Sequence, residues 1–226
     1  MENNVGLLVL VIVVCIGGSF IYKKWITEDT LKKLYKFKMQ RNTEEFIKLL
    51  NSPYLKFNFS KFTLYWMQLS YFLDYKMTRE VEETFRQQDA IKMTSDEQAT
   101  VYFRMYTYYI EINQIQKAEA LYNILNNCIQ SSKDSKINAL EKEVNQLKIV
   151  YCDKDSTQIK KIEEDIESCT DDELKSVGYF RIAKLYHYQG NEDKVNNYLQ
   201  LAIDKTRIET NKESLEEMKK DHKKLD

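Results

Sequence analysis

Proline and glycine are almost missing from this chain, with one proline, Pro53, and five glycines in 226 residues. β-Sandwiches, barrels and open α/β sheets turn often and draw on both residues, so their scarcity excludes those folds and leaves helices. Histidine is nearly as rare, with only His187 and His222. No HExxH, no GxSxG, no glycine-rich phosphate loop and no acidic calcium loop occurs. His187 has no serine, cysteine or carboxylate close by in sequence to work with as a base, and a metal partner four residues away would have to be Ala183 or Asn191. It reads as a packing or groove histidine. Glu163-Glu164-Asp165 and Asp171-Asp172-Glu173 read as a solvated face and an acidic helix start. The expectation is therefore no catalysis, no cofactor, no metal and no small-molecule substrate. Neither sign of charge prevails, since 34 Lys and Arg stand against 35 Asp and Glu for a net charge of −1. That balance argues against a nucleic-acid partner, which calls for a basic excess on one face. Cys15, Cys128, Cys152 and Cys169 form no CxxC pair and read as free thiols.

What the chain does have is an uncharged stretch from Val5 to Tyr22, followed at once by Lys23, Lys24 and Trp25. As a helix it would reach roughly 27 Å, near the hydrocarbon thickness of a bilayer. A cleaved signal is disfavoured, because Met1 to Asn4 are not basic and Gly17-Gly18-Ser19 runs into bulky Phe20-Ile21-Tyr22. Val13 and Val14 before Cys15 argue against a lipid-modified cysteine. The reading is a single-span anchor over residues 1–25, with Lys23, Lys24 and Trp25 at the membrane interface. Lys32, Lys33, Lys36, Lys38 and Arg41 add to the basic flank, which places the C-terminal domain in the cytoplasm and the N-terminus outside. If those residues are only a solvated helix face, Lys23 and Lys24 alone decide the orientation.

Beyond residue 25, apolar residues recur at helical spacing. Leu31, Leu34, Tyr35 and Met39 fit one helical face, and the pattern predicts helices near 43–50, 60–76, 78–92, 95–112, 115–130, 135–152, 156–168, 170–190 and 191–206. Thr43, Ser95 and Thr170 read as caps, and Ser95 with Gln98 as a capping box. Ser52-Pro53 ends one helix. Links of two to five residues imply antiparallel hairpins. From Arg207 the charge content rises, which predicts a capping helix that frays into a tail.

The window Tyr179 to Ala202 resembles a tetratricopeptide repeat. It carries Tyr179, Ile182, Ala183 and Tyr186 on a first helix, Gly190 at the turn, and Val195, Leu199 and Ala202 on a second. A small residue admits close helix approach, and glycine accepts the left-handed conformation that ends a helix. The same template falls on Tyr102, Met105, Tyr106, Tyr109, Asn113, Ala118, Tyr122 and Leu125, and more weakly on Tyr65, Leu69, Phe72, Val81 and Phe85. Turns near 42, 76, 113, 153 and 190 keep a period slightly above the ~34 residues of the family. The implied architecture is all-α: an N-terminal transmembrane helix (1–25), a short right-handed α-solenoid of about five tetratricopeptide-like hairpins (26–206), and a charged capping helix and tail (207–226).

In the resembled family, first helices line a groove that binds an extended peptide or partner helix. Carried onto this chain, the residue after the opening aromatic is Trp66, Phe103 and Phe180. The next is Met67, Arg104 and Arg181, and three further on come Ser70, Thr107 and Lys184. Members that grip chaperone tails use lysine and asparagine at these places, and the aromatics here depart from that. Rings flanked by cations suit a peptide with apolar side chains and some acid. The implied function is a membrane-anchored adaptor that holds a protein or peptide partner in its groove. The alternatives are an extracytoplasmic accessory factor for secretion or envelope assembly, or a structural subunit of a membrane complex whose groove is filled by a neighbouring element.

Overall fold

The computed structural model describes residues 26–225, and every regular element within them is a helix. Left-handed backbone marks the places where the chain reverses: Arg41, Lys76, Asn113, Lys154 and Gly190, with φ from 51° to 69°. These positions fall within a residue of the turns expected from sequence. In four of them the following amide reaches back to a carbonyl five residues earlier. Asn42 donates to Phe37 at 3.0 Å, Met77 to Phe72 at 2.9 Å, Gln114 to Tyr109 at 2.8 Å and Asn191 to Tyr186 at 3.0 Å. One left-handed residue thus satisfies carbonyls that a helix end would leave open. The turn at Lys154 differs by one residue. There Asp155 donates to Ile149 at 3.0 Å, because Lys148–Asp153 is wound as a π-helix whose turn holds an extra residue.

The register around these turns repeats. Seven residues before each stands Leu34, Leu69, Tyr106, Leu147 or Ala183, and five after stands Phe46, Val81, Ala118, Ile159 or Val195, all buried. Each reversal thus presents one apolar residue on the first helix and one near the start of the second to the same core.

The chain folds as two compact units, one ending at Lys92 and one beginning at Met93. The first holds α1 (residues 26–39), α2 (Thr43–Leu50), α3 (Pro53–Asn58), α4 (Lys61–Asp74) and α5 (Thr78–Phe85). Asn42 rather than Thr43 caps α2, and the Thr43 hydroxyl instead bonds Tyr71 Oη at 2.9 Å. Phe46 stacks on Tyr71 with ring centroids 4.2 Å apart. Ser52 caps α3 and Pro53 occupies its first turn, where its missing N–H costs nothing.

The second unit holds α6 (Ser95–Glu111), α7 (Ile115–Ser131), α8 (Ser135–Asn138), α9 (Leu140–Leu147), the π-helix, α10 (Ile159–Ser168), α11 (Asp172–Tyr188), α12 (Glu192–Lys205) and α13 (Glu209–Lys220). Two of its hairpins are long and regular, α6–α7 and α11–α12. The capping box of α6 uses Thr94 with Glu97, and α11 is capped by Asp171, each one residue from the expected place. In α11–α12 the Ser176 hydroxyl donates to the Ala202 carbonyl at 2.8 Å, and Ile182, Ala183, Leu199 and Ala202 are fully buried. Gly178 lets α10 approach α11, since a Cβ there would meet Ile166 at 2.6 Å.

This corrects the expected architecture. The helix foreseen over 135–152 is broken into α8, α9 and the π-helix. Residues 207–225 belong to the second unit, and Leu225 is buried there instead of lying in a frayed tail. Among the described residues no helix is long and apolar enough to cross a membrane, and the longest span 17 residues. The transmembrane helix of the expected fold, and the single-pass placement drawn from it, are therefore not supported. Val5 to Tyr22, with Lys23, Lys24 and Trp25, lie outside the described residues.

Candidate functional site

The nine residues expected to share one groove fall in both units. In the first, Trp66, Met67 and Ser70 on α4 face Leu31, Leu34 and Tyr35 of α1 across a shallow groove of about 260 Å³. Tyr35 stays 64 % exposed there. In the second unit, Phe103, Arg104 and Thr107 ride on α6, and Phe180, Arg181 and Lys184 on α11.

Of those six, Thr107, Phe180 and Lys184 line a single cavity of about 540 Å³. Arg104 pairs with Glu111 of its own helix at 3.7 Å, and Phe103 is half-buried on α6. Arg181 departs from its expected place. It is buried, with its guanidinium donating to the Glu143 carboxylate and, at 2.6 Å, to Gln146 Oε1. Such a paired charge ties α9 to α11 and lines a separate cavity of about 350 Å³ beside Ile166, Leu174 and Gly178. Its head is spent on the fold because α9 brings two acceptors to it.

The larger cavity is walled by groups that sequence reasoning did not single out. Tyr151 comes from the π-helix, Lys154 from the left-handed residue behind it, Tyr188 from the last turn of α11, Met218 from α13 and Lys224 from the short turn His222–Leu225. Lys184 is only 7 % exposed. Its ammonium lies 5.0 Å from the Tyr151 ring centroid and 5.7 Å from that of Tyr188, and it donates to the main-chain carbonyl of Leu225. The Lys154 ammonium also lies over the Tyr188 ring, 4.4 Å from its centroid. Lys224 pairs with Glu217 at 2.7 Å.

The electrostatics follow from these contacts. Burial pushes the Tyr151 phenol above its ordinary range, so it enters the cavity as a neutral donor and ring. Lys224 beside Glu217 holds that carboxyl below its ordinary value, and Glu217 raises Lys224 in turn. The cavity thus combines aromatic faces with cations packed on them, rimmed by Glu111 and Glu143. It can take an apolar side chain and present ammonium groups to a carbonyl or carboxylate.

Elsewhere in the second unit, Cys152 Sγ lies 3.7 Å from Tyr106 Oη and Cys128 Sγ 3.8 Å from Gln98 Oε1. Burial raises both thiols, which keeps them protonated and poorly nucleophilic. Among the described residues, no group of three or more His, Cys, Asp or Glu is placed to hold a metal ion. The only signal for the cavity in the sequence is the turn at 153–154. Nothing in Lys148-Ile-Val-Tyr-Cys-Asp153 announces a π-helix. In comparisons with known proteins, no family model, no curated protein and no solved structure matches this chain.

Proposed function

We propose that this protein is a non-catalytic helical adaptor, and that it binds a protein or peptide segment in the cavity framed by α6, the π-helix and α11. The observation that carries this reading is the half-caged Lys184, held between Tyr151 and Tyr188 on the wall of a space of about 540 Å³. A desolvated ammonium set on aromatic faces favours an oxygen acceptor, and the rings favour an apolar side chain beside it. The ligand class is therefore an extended segment that offers an apolar side chain next to a main-chain carbonyl or a carboxylate. The cavity is large enough for a few side chains, and a partner would add contacts along α6 and α11 outside it.

The test is selection of a displayed random-peptide library against the full chain, repeated with Phe180→Ala and with Lys154→Gln. Enriched peptides should carry an apolar residue close to an acid or a C-terminus, and Phe180→Ala should lose them while helicity stays unchanged. Enrichment that survives Phe180→Ala undiminished would place the binding surface elsewhere.

A further inference from the structure

We infer that the cavity of about 350 Å³ between α9, α10 and α11 is a second ligand site, and that its occupant is a neutral aromatic small molecule about the size of indole. It shares Glu143 with the larger cavity but does not depend on the peptide reading.

The lining is periodic. The stretches 139–146, 162–169 and 174–181 each supply the positions i, i+3, i+4 and i+7. Three helical stripes of the kind that usually close a core thus meet around one space. Ile162 and Ile166, both buried, form its floor. Gly178 and Ala139 bring no bulk to it. Leu174 and Val177, one turn apart on α11, line its mouth and stay 63 % and 42 % exposed. The seam is therefore apolar within and open at one side. Its volume lies near the lower end of the range for small-molecule sites, which suits a compact ring system rather than a long chain.

The charges of the lining define the ligand's charge. They are two bases and two acids, and each is held by another. Lys142 pairs with Asp165 at 2.6 Å, and Arg181 donates to Glu143. Gln146 joins the two pairs, since its amide donates to Asp165 at 2.7 Å and its carbonyl accepts from Arg181 at 2.6 Å. An ionic ligand would have to break one of these pairs, whereas a neutral one leaves both intact. Arg181 is buried, and a desolvated guanidinium attracts the face of an aromatic ring. That favours an aromatic ring over a saturated one of the same size.

The experiment is a fluorine NMR titration of the full chain with fluoroindole, beside its charged relatives fluorotryptamine and fluoroindole acetate. Fluoroindole should bind saturably, and both charged relatives at least about tenfold more weakly. Fluorobenzene should likewise bind more tightly than fluorocyclohexane. Ala139→Trp, at an exposed position on the mouth, plugs the cavity and should abolish fluoroindole binding while helicity stays unchanged. Val177→Gln removes one apolar contact and should weaken binding about fivefold, and it decides the matter if Ala139→Trp fails to fold. Binding that survives both variants undiminished overturns the inference. So does a loss with Phe180→Ala alone, which would put the probe in the larger cavity. Charged relatives that bind as tightly as fluoroindole, or fluorocyclohexane as tightly as fluorobenzene, overturn the assigned ligand class.

Discussion

The hairpin α11–α12 and the stretch from Ser135 to Ser168 use the same reversal, a left-handed residue that closes a helix, yet they end in different structures. In α11–α12 the turn at Gly190 joins two uninterrupted helices of 17 and 14 residues. In the other stretch the turn at Lys154 is preceded by a π-helix, and its closing bond from Asp155 to Ile149 spans one residue more. The extra residue shifts the side chains that follow it around the helix axis. Tyr151 and Lys154 come to face α11, and the cavity lies on that side. The regular hairpin supplies the rigid wall with Phe180, Lys184 and Tyr188. In the proposed reading, the irregular stretch supplies the groups that recognise a partner, in keeping with the frequent use of π-bulges at functional sites.

That division of labour predicts unequal costs. Truncating the regular hairpin should be worst: Leu199→Ala, at a fully buried position, should cost about 2–5 kcal/mol in denaturant unfolding, and Leu147→Ala just before the π-helix should fall at the low end of that span. Equal losses would mean that the broken stretch is packed as tightly as the hairpin. Gly178→Ala forces a methyl against Ile166 and should cost about 1–3 kcal/mol, with α10 displaced from α11 in hydrogen exchange. Gly190→Ala puts a side chain on a left-handed backbone and should cost about 1 kcal/mol, whereas Lys154→Gly, which removes one from such a backbone, should leave stability within about 0.5 kcal/mol.

The pH response separates the same regions. Burial and neighbouring groups push Tyr106 and Tyr198 well above the ordinary phenol value of 10.0. For these groups stability is complete below that value and is lost as pH rises toward the folded one, because the unfolded chain releases the protons first. Absorbance titration should therefore show both tyrosines ionising only as the second unit unfolds in alkali. Glu217 is held low by Lys224, so its contribution is present above the ordinary carboxylate range and is lost as pH falls through the folded value. Acid below the ordinary carboxylate range should loosen the turn His222–Leu225 before the α11–α12 hairpin, as amide exchange at residues 222–225 would report.

The reversals were legible because they are written locally: a left-handed residue, a polar or glycine side chain able to occupy it, and an apolar residue five places later. The caps at Thr94 and Asp171 were legible to within one residue, since adjacent Thr, Ser and Asp compete for the same amides. The π-helix left no mark in sequence, because residues 148–153 hold neither glycine nor proline and keep an apolar spacing that an α-helix also satisfies. Arg181 was misplaced for a different reason. Its position on α11 follows from periodicity, but the choice between facing a groove and pairing with Glu143 and Gln146 depends on where α9 packs. The seating of Leu225 was likewise invisible in a run of charges that reads as a solvated tail.

The central claim is that recognition lies at the irregular wall of the second unit. The most direct test is the affinity of library-selected peptides for the full chain bearing Tyr151→Ala, beside the same measurement for Trp66→Ala on the first unit. An anchor of this kind is worth about 2 kcal/mol, so Tyr151→Ala should weaken binding roughly thirtyfold while Trp66→Ala leaves it within about twofold. Retained affinity in Tyr151→Ala, or a loss confined to Trp66→Ala, would contradict the account.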